Sequence, residues 1–135
     1  MSTILDANFS KRLLMFFCLF SVEILLNHEA DINVRNHKGF TPLHLAAESG
    51  QINITKLLLR RGANPHAATD NGNTALMFAA KNNHFEVCEK LIKEGVDMFH
   101  KNSIGQDAMS MAKNKGYDPL VQVFQTYKTQ KSYKS

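Results

Sequence analysis

The sequence has few of the residues that hold metals or form disulfides. It contains two cysteines, Cys18 and Cys88, and neither belongs to a C-x-x-C pair or to a Cys/His cluster with zinc spacing. The six histidines are scattered, and no two of them are four residues apart. This pattern predicts two reduced, buried thiols, as in a cytosolic or nuclear protein. We expect no metal and no cofactor.

The sequence also lacks motifs typical of enzymes and of nucleic-acid-binding proteins. It has no nucleophile elbow, no Walker loop and no paired-carboxylate motif. The net charge is +4, and part of this excess lies in the last eight residues, which include Lys128, Lys131 and Lys134. A nucleic-acid-binding domain usually carries a denser basic stripe. The sequence therefore predicts neither an enzyme nor a nucleic-acid-binding protein.

No apolar run is long enough to cross a membrane. The longest is LLMFFCLF, Leu13–Phe20, within an apolar-rich stretch of 14 residues that ends at Leu26. A membrane helix needs about 20 apolar residues. Lys11 and Arg12 would suit the basic start of a signal peptide, but no A-x-A-like cleavage site follows. Three interpretations stay open: a core or capping helix, which we favour, a membrane contact, or a signal peptide.

A period of 33 residues runs through the sequence. The chain has 135 residues, 44% hydrophobic and 21% charged, which suits one folded domain. Its glycines and apolar residues recur in one register, and such self-similarity indicates a repeat architecture. The columns are Gly39–Gly72–Gly105, Gly62–Gly95, Leu43–Leu76–Met109, Ala46–Ala79–Ala112 and Leu58–Leu91–Phe124.

Each period is typical of a helix pair followed by a loop. Thr41 suits a helix N-cap, Pro42 suits the first helical position, and Gly50 suits a helix end. A second helix is predicted from about Ile52 to Arg61, with an apolar face, and Gly62 ends it. The segments that favour tight, hairpin-like turns are Asn36-His-Lys-Gly39 and Asp70-Asn-Gly72.

These motifs resemble those of the ankyrin repeat family, which has this period and a T-P-L-H-x-A signature. The signature stands as Thr41-Pro-Leu-His-Leu-Ala46, is weaker in Thr74-Ala-Leu-Met-Phe-Ala79, and is degenerate in Asp107-Ala-Met-Ser-Met-Ala112. The resemblance covers roughly residues 21–127. It implies an all-α fold, a solenoid of stacked helix-turn-helix units joined by hairpin-like loops.

The register divides the chain into segments. Two full repeats, 36–68 and 69–101, follow a partial repeat at 19–35, and a degenerate capping repeat at 102–127 has Lys113 where the others have Ala47 and Ala80. A divergent apolar leader, 1–18, departs from the register, and a basic tail, 128–135, is expected to be disordered. A truncated or alternative product of a longer repeat protein is one explanation for such a leader.

The resemblance implies a module that binds a protein partner through a concave surface. In the family, contacts come from the turn tips and the exposed end of the first helix. At matching positions the predicted partner-binding residues are His37, Lys38, Phe40, Glu48, Ser49, Asp70, Asn71, Asn73, Lys81, Asn82, Ser103, Ile104 and Gln106. Phe40 and Ile104 stand out, because the fold does not need apolar residues at turn tips. We expect a monomeric scaffold, adaptor or inhibitor in the cytoplasm or nucleus, with no nucleic acid bound; the alternative is a membrane-associated protein held by Leu13–Phe20.

Two further residues have roles that the resemblance implies. His44, in the T-P-L-H element, resembles a hydrogen-bonding residue that braces a loop, which we favour over a catalytic base. Leu25 and the following Asp31-Ile-Asn33 resemble the pattern around ankyrin asparagines that a cytosolic 2-oxoglutarate oxygenase hydroxylates. Asn33 is therefore a candidate hydroxylation site, and the alternative that we favour is that it caps a loop.

Overall fold

The computed structural model describes residues 32–134, and six helices make up most of this range. In chain order they are α1 (Pro42–Ser49), α2 (Ile52–Arg60), α3 (Ala75–Lys81), α4 (Phe85–Lys93), α5 (Ala108–Lys115) and α6 (Asp118–Lys134). Helix α3 packs against both α1 and α5, and α2 packs against α4. Within this range, an isolated bridge between Ala68 and Thr74 is the one β-type pairing. The described part is the expected all-α solenoid, with inner helices α1, α3 and α5 and outer helices α2, α4 and α6.

Each inner helix begins at a side-chain cap. Thr41, Thr74 and Asp107 each accept a hydrogen bond from the backbone N–H three residues on. These bonds satisfy N–H groups that the first turn of a helix leaves without a helical partner. Pro42 occupies the first turn of α1, and Gly50 ends that helix with a left-handed backbone (φ 71°). The predicted start and end of α1 are therefore confirmed.

The core lies between the inner and outer helices. Leu43, Leu58, Leu76, Leu91 and Phe124 are at most 1% exposed, and all belong to one continuous cluster. Alanines fill the buried positions of the inner helices, where small side chains let neighbouring backbones approach closely. They are Ala46, Ala47, Ala79, Ala80 and Ala112, all fully buried.

Cys88 lies in the core, fully buried in α4. Burial raises the pKa of its thiol to about 12, so the thiol stays protonated at neutral pH. The prediction of a buried thiol is confirmed at this position.

Helix α6 is longer than the sequence predicted. It continues to Lys134, so the expectation of disorder is wrong for residues 128–134. The segment contains no Gly or Pro after Pro119, and it is rich in Lys and Gln, which favour helices. The Nζ atom of Lys128 also lies 5.9 Å from the centre of the Phe99 ring, which connects the added turns to the loop between α4 and α5.

Some predictions fall on residues outside the described range. The apolar leader (1–18), with Leu13–Phe20, and residues 19–31 of the partial repeat all lie there. Among the helices of residues 32–134, none is both long and apolar enough to span a membrane.

Substitutions at Gly50 and Gly116 separate the cost of an unfavourable backbone conformation from the cost of disturbed packing between repeats. Both end an inner helix in the left-handed conformation, with φ values of 71° and 77°. A Cβ atom on Gly50 would lie 2.5 Å from the His84 ring, whereas a Cβ on Gly116 would meet no atom within 4 Å. His84 belongs to the next repeat, and its Nε2 donates to the Glu48 carbonyl at 2.9 Å. The two glycines thus share one backbone conformation and differ in their neighbours.

We expect Gly116→Ala to lower the free energy of unfolding by about 1 kcal/mol, the cost of a left-handed alanine. Gly50→Ala should lower it by about 2–3 kcal/mol, because the displaced His84 ring also loses its hydrogen bond. Urea unfolding followed by far-UV circular dichroism measures both values. Adding His84→Ala to each variant should bring the two costs together. Equal costs in the single variants would show that the His84 contact contributes nothing.

Candidate partner-binding surface

The turn tips of successive repeats lie side by side and are joined by backbone hydrogen bonds. The N–H of Asp70 donates to the Lys38 carbonyl at 3.2 Å, and the N–H of Ser103 donates to the Asn71 carbonyl at 3.0 Å. An exposed ion pair between Arg35 and Asp70, at 3.5 Å, adds to the first junction. We call the tips together with the exposed sides of α1, α3 and α5 the inner surface.

Each tip is shaped by a polar side chain at its first position. Asn36 Oδ1 accepts from the N–H groups of Lys38 and Phe40, and Asn102 Oδ1 accepts in the same way from Ile104 and Gln106. In the second tip, the Thr69 hydroxyl accepts from the Asn73 N–H at 3.2 Å. The sequence analysis did not single out this column of 36, 69 and 102. Its 33-residue spacing and its short polar side chains, which favour turns, were the available signal.

A groove opens between α3 and α5, beneath the third tip. Its volume is about 230 Å³. Helix α3 contributes Met77, Phe78 and Lys81, and α5 contributes Met111, Asn114 and Lys115, so each helix presents positions three or four residues apart on one face. The tips complete the lining with Asn73, Asn102, Ile104 and Gln106.

Four of the predicted binding residues meet in this groove: Asn73, Lys81, Ile104 and Gln106. The six that the sequence analysis missed are Met77, Phe78, Asn102, Met111, Asn114 and Lys115. The remaining predicted residues lie outside the groove lining. They are His37, Lys38, Phe40, Glu48, Ser49, Asp70, Asn71, Asn82 and Ser103.

Phe40 and Ile104, the two apolar tip residues, have different surroundings. Phe40 is half-buried, with its ring 5.1 Å from that of Phe78 and 6.1 Å from that of His44. The assumption that the fold does not need an apolar residue here is therefore wrong, because Phe40 joins two neighbouring repeats. Ile104 is 75% exposed at the rim of the groove.

The family model for ankyrin repeats in three copies matches residues 3–69 and 61–133, which together cover nearly the whole chain. The chain belongs to the ankyrin repeat family. Ankyrin repeats are generally non-enzymatic and bind protein partners.

Similar proteins match the ankyrin repeats over a short stretch. An ADP-ribosylation factor GTPase-activating protein, AGD4 of Arabidopsis thaliana, is 50% identical over 44 residues, 33% of this chain and 6% of that protein. Delta-latroinsectotoxin-Lt1a of Latrodectus tredecimguttatus is 48% identical over 44 residues, 33% of this chain and 4% of the toxin. The ankyrin repeat and KH domain-containing protein mask-1 of Caenorhabditis elegans is 46% identical over 44 residues, covering 2% of its length. The chain therefore spans a small part of each relative.

His44 braces a loop of the ankyrin array. Its Nδ1 accepts from the Thr41 N–H at 2.9 Å, and its Nε2 lies 2.8 Å from the Ala67 carbonyl oxygen, to which it donates. The residue is 1% exposed, and burial lowers the pKa of its imidazole to about 4. A neutral ring with both nitrogens engaged joins the start of α1 to the loop after α2, as the resemblance implied.

Asn33 lies at the loop that precedes the first complete ankyrin repeat. Its side chain is exposed, and its Oδ1 accepts from the Asn64 N–H at 2.9 Å. Asn64 is in the corresponding loop of the next repeat, so Asn33 joins two successive loops. This is the geometry of the loop-capping alternative.

Metal-binding side chains are not clustered in the described part of the ankyrin array. Among residues 32–134, no group of three His, Cys, Asp or Glu side chains could hold a metal ion.

Proposed function

We propose that this ankyrin array is a non-enzymatic scaffold, adaptor or inhibitor that binds a protein partner through its inner surface. The groove between α3 and α5 carries this proposal, because it combines exposed apolar and polar side chains where the turn tips meet. Ile104 illustrates the argument, since it is 75% exposed and packs into no core. A partner that covers this side chain would remove apolar surface from water.

The side chains with the greatest catalytic potential serve the fold, which favours binding over catalysis. His44 is neutral, buried and engaged at both nitrogens. His84 Nε2 lies 2.9 Å from the Glu48 carbonyl oxygen of the preceding repeat, and His100 Nε2 lies 3.1 Å from the Gly72 carbonyl oxygen of its own repeat. The Cys88 thiol is buried and protonated. These groups stabilise the helices and loops of the array instead of facing a substrate.

Photo-crosslinking in cells tests the proposed surface. A photoreactive phenylalanine analogue placed at Ile104, on the inner surface, should capture one or a few discrete proteins. The matched control places the analogue at Lys56, which is also exposed but lies on the outer helix α2. Crosslinks of the same pattern and yield from both positions, or from Lys56 alone, would contradict binding through the inner surface.

We also propose a monomer in the cytoplasm or nucleus, and the buried, protonated Cys88 supports a reducing compartment.

The alternative is membrane association through Leu13–Phe20. Vesicle sedimentation of the full chain beside the double variant Phe16→Ser and Phe17→Ser tests it. Equal amounts of both chains in the vesicle pellet would exclude anchoring by this octapeptide.

Hydroxylation of Asn33 stays a prediction. In the folded array the Asn33 side chain is exposed, and its Oδ1 accepts from the Asn64 N–H at 2.9 Å. If Asn33 is hydroxylated, the peptide that carries it will show a species heavier by about 16 Da, because hydroxylation adds one oxygen atom. Mass spectrometry of the cell-expressed protein measures it, with an Asn33→Ala chain as the control. The unmodified mass alone would reject the prediction.

A further inference from the structure

We propose that the groove between α3 and α5 binds an extended peptide segment through one apolar side chain and one carboxylate. The apolar side chain lies over Phe78 and Met111, and the carboxylate lies at Lys81 and Lys115. This inference rests on the proposed function, since it specifies the chemistry of the partner at the same surface.

The centre of the groove is suited to an apolar side chain. Met77 and Phe78 are almost fully buried, and Met111 is half-buried. Methionine is flexible and polarisable, so it adapts its shape to an inserted group. Ile104 stands at the rim, on a tip that Asn102 holds in place by two hydrogen bonds. An apolar side chain inserted here would be covered from below and from one side.

One end of the groove is positively charged. Lys81 and Lys115 are the last residues of α3 and α5, so both lie at the same end of the two inner helices. Both side chains are exposed, and neither forms an ion pair within residues 32–134. By contrast, Lys90 and Lys93 on α4 pair with glutamates at 2.9 Å and 3.2 Å.

The charge at this end is not balanced by the groove itself, because no carboxylate lines it. Glu48, the acidic residue that occupies the position of Lys81 in the preceding repeat, lies outside the lining. A carboxylate from a partner would therefore meet two free ammonium groups, and this complementarity favours an acidic ligand.

Amide side chains favour a peptide over other acidic ligands. Asn73, Asn102, Gln106 and Asn114 line the groove. The Asn102 amide is engaged with Asn73 and with the third tip, so Gln106 and Asn114 are the amides available to a ligand. Amides offer both donors and acceptors, which suits the alternating N–H and C=O groups of an extended backbone.

The helix geometry sets the spacing of the two anchors. Lys81 and Lys115 lie about one turn beyond Phe78 and Met111, which corresponds to about 5.4 Å along the helix axis. An extended peptide rises about 3.3 Å per residue, and its alternate side chains point the same way. The apolar residue and the acidic residue are therefore expected two positions apart, in either chain direction.

Selection from a phage-displayed library of random 12-residue peptides, with the full chain as bait, tests this inference. The enriched peptides should share an apolar residue two positions from Asp or Glu. A fluorescein-labelled copy of the most enriched peptide is then titrated by anisotropy. The double variant Lys81→Glu and Lys115→Glu should bind it about tenfold more weakly, because two attractions become repulsions. The variant Lys56→Glu and Arg60→Glu, on α2, carries the same charge change and should bind within about twofold of the parent chain.

The methyl signals of methionine show where the peptide binds. In a chain labelled with ¹³C-methyl methionine, Met77 and Met111 should shift on peptide addition, whereas Met98, buried outside the groove, should not. This readout does not depend on the folding of a variant.

The remaining outcomes separate this inference from the proposed function. Peptides that shift Met77 and Met111 but lack an acidic residue and ignore the Lys81 and Lys115 changes would overturn the inference and leave the proposed function standing. Peptides that shift neither methionine, or an absence of enriched peptides, would also overturn it. Crosslinking at Ile104 would then decide the proposed function independently.

Discussion

Replacing Phe124 with Ala is expected to lower the free energy of unfolding of the C-terminal repeat by about 3–5 kcal/mol. Phe124 is fully buried in α6 and belongs to the same core cluster as Leu91 and Leu120. Truncation to Ala removes most of its buried apolar surface and leaves a cavity that the surrounding helices fill only partly. Because α6 packs mainly against α5, and repeats contact mainly their neighbours, the loss should fall on this last helix pair.

Tyrosine fluorescence measures this local effect. The chain contains no tryptophan, and its three tyrosines are at position 117, just before α6, and at positions 127 and 133 within α6. Their fluorescence should change at lower urea than the far-UV circular dichroism of the whole array. The control is Phe85→Ala, since Phe85 is 39% exposed and its loss should cost below about 1 kcal/mol. Similar costs for the two variants would show that α6 does not depend on its buried phenylalanine.

Acidification is expected to destabilise the array through His44 by about 3 kcal/mol. Burial lowers the pKa of this imidazole to about 4 in the folded chain, against 6.5 for an ordinary histidine. Between these values the unfolded chain binds a proton that the folded chain does not, so lowering the pH favours unfolding. The contribution of His44 is complete above pH 6.5 and is lost as the pH falls toward 4, and each pKa unit corresponds to about 1.4 kcal/mol.

A His44→Gln variant separates this effect from the titration of carboxylates. It should cost about 1–3 kcal/mol at pH 7, because the Ala67 carbonyl loses its partner in a buried site. As the pH falls to 4, the stability difference between the parent chain and the variant should shrink by about 3 kcal/mol. The matched control is His66→Gln, the same substitution at an exposed histidine. Parallel profiles for the parent and the His44 variant would contradict the role of His44.

The fold was predictable from the sequence where local rules apply. Thr41 and Gly50 mark the ends of α1 through capping and backbone conformation, and the 33-residue period places the other inner helices. The extent of α6 was not predictable in this way, because the period gives no register beyond its last column. There the helix-forming tendency of the tail and the contact between Lys128 and Phe99 decide the length.

The candidate site was predictable only in part, because the repeat pattern identifies turn-tip residues but does not show which buried residues border a groove. Tip residues such as Asn73 and Ile104 are identified by their position in the repeat. The groove floor contains Met77 and Met111, which share the buried, apolar character of core residues, and sequence alone does not show which of these border an open groove. The structural role of Phe40 was not predicted, because the ring that it contacts, that of Phe78, lies in the next repeat. The sequence pattern does not encode this contact.

The rate at which the buried thiol of Cys88 is alkylated can measure how often the middle repeat opens. A thiol with a pKa of about 12, and no exposed surface, reacts with iodoacetamide only when α4 leaves its neighbours. In a Cys18→Ser chain, the labelling rate at Cys88 would therefore measure how often α4 separates from its neighbours. A ligand that binds only the folded array lowers this labelling rate by the factor 1 + [L]/Kd. Affinity for an unlabelled partner could thus be read from the time course of a single covalent modification.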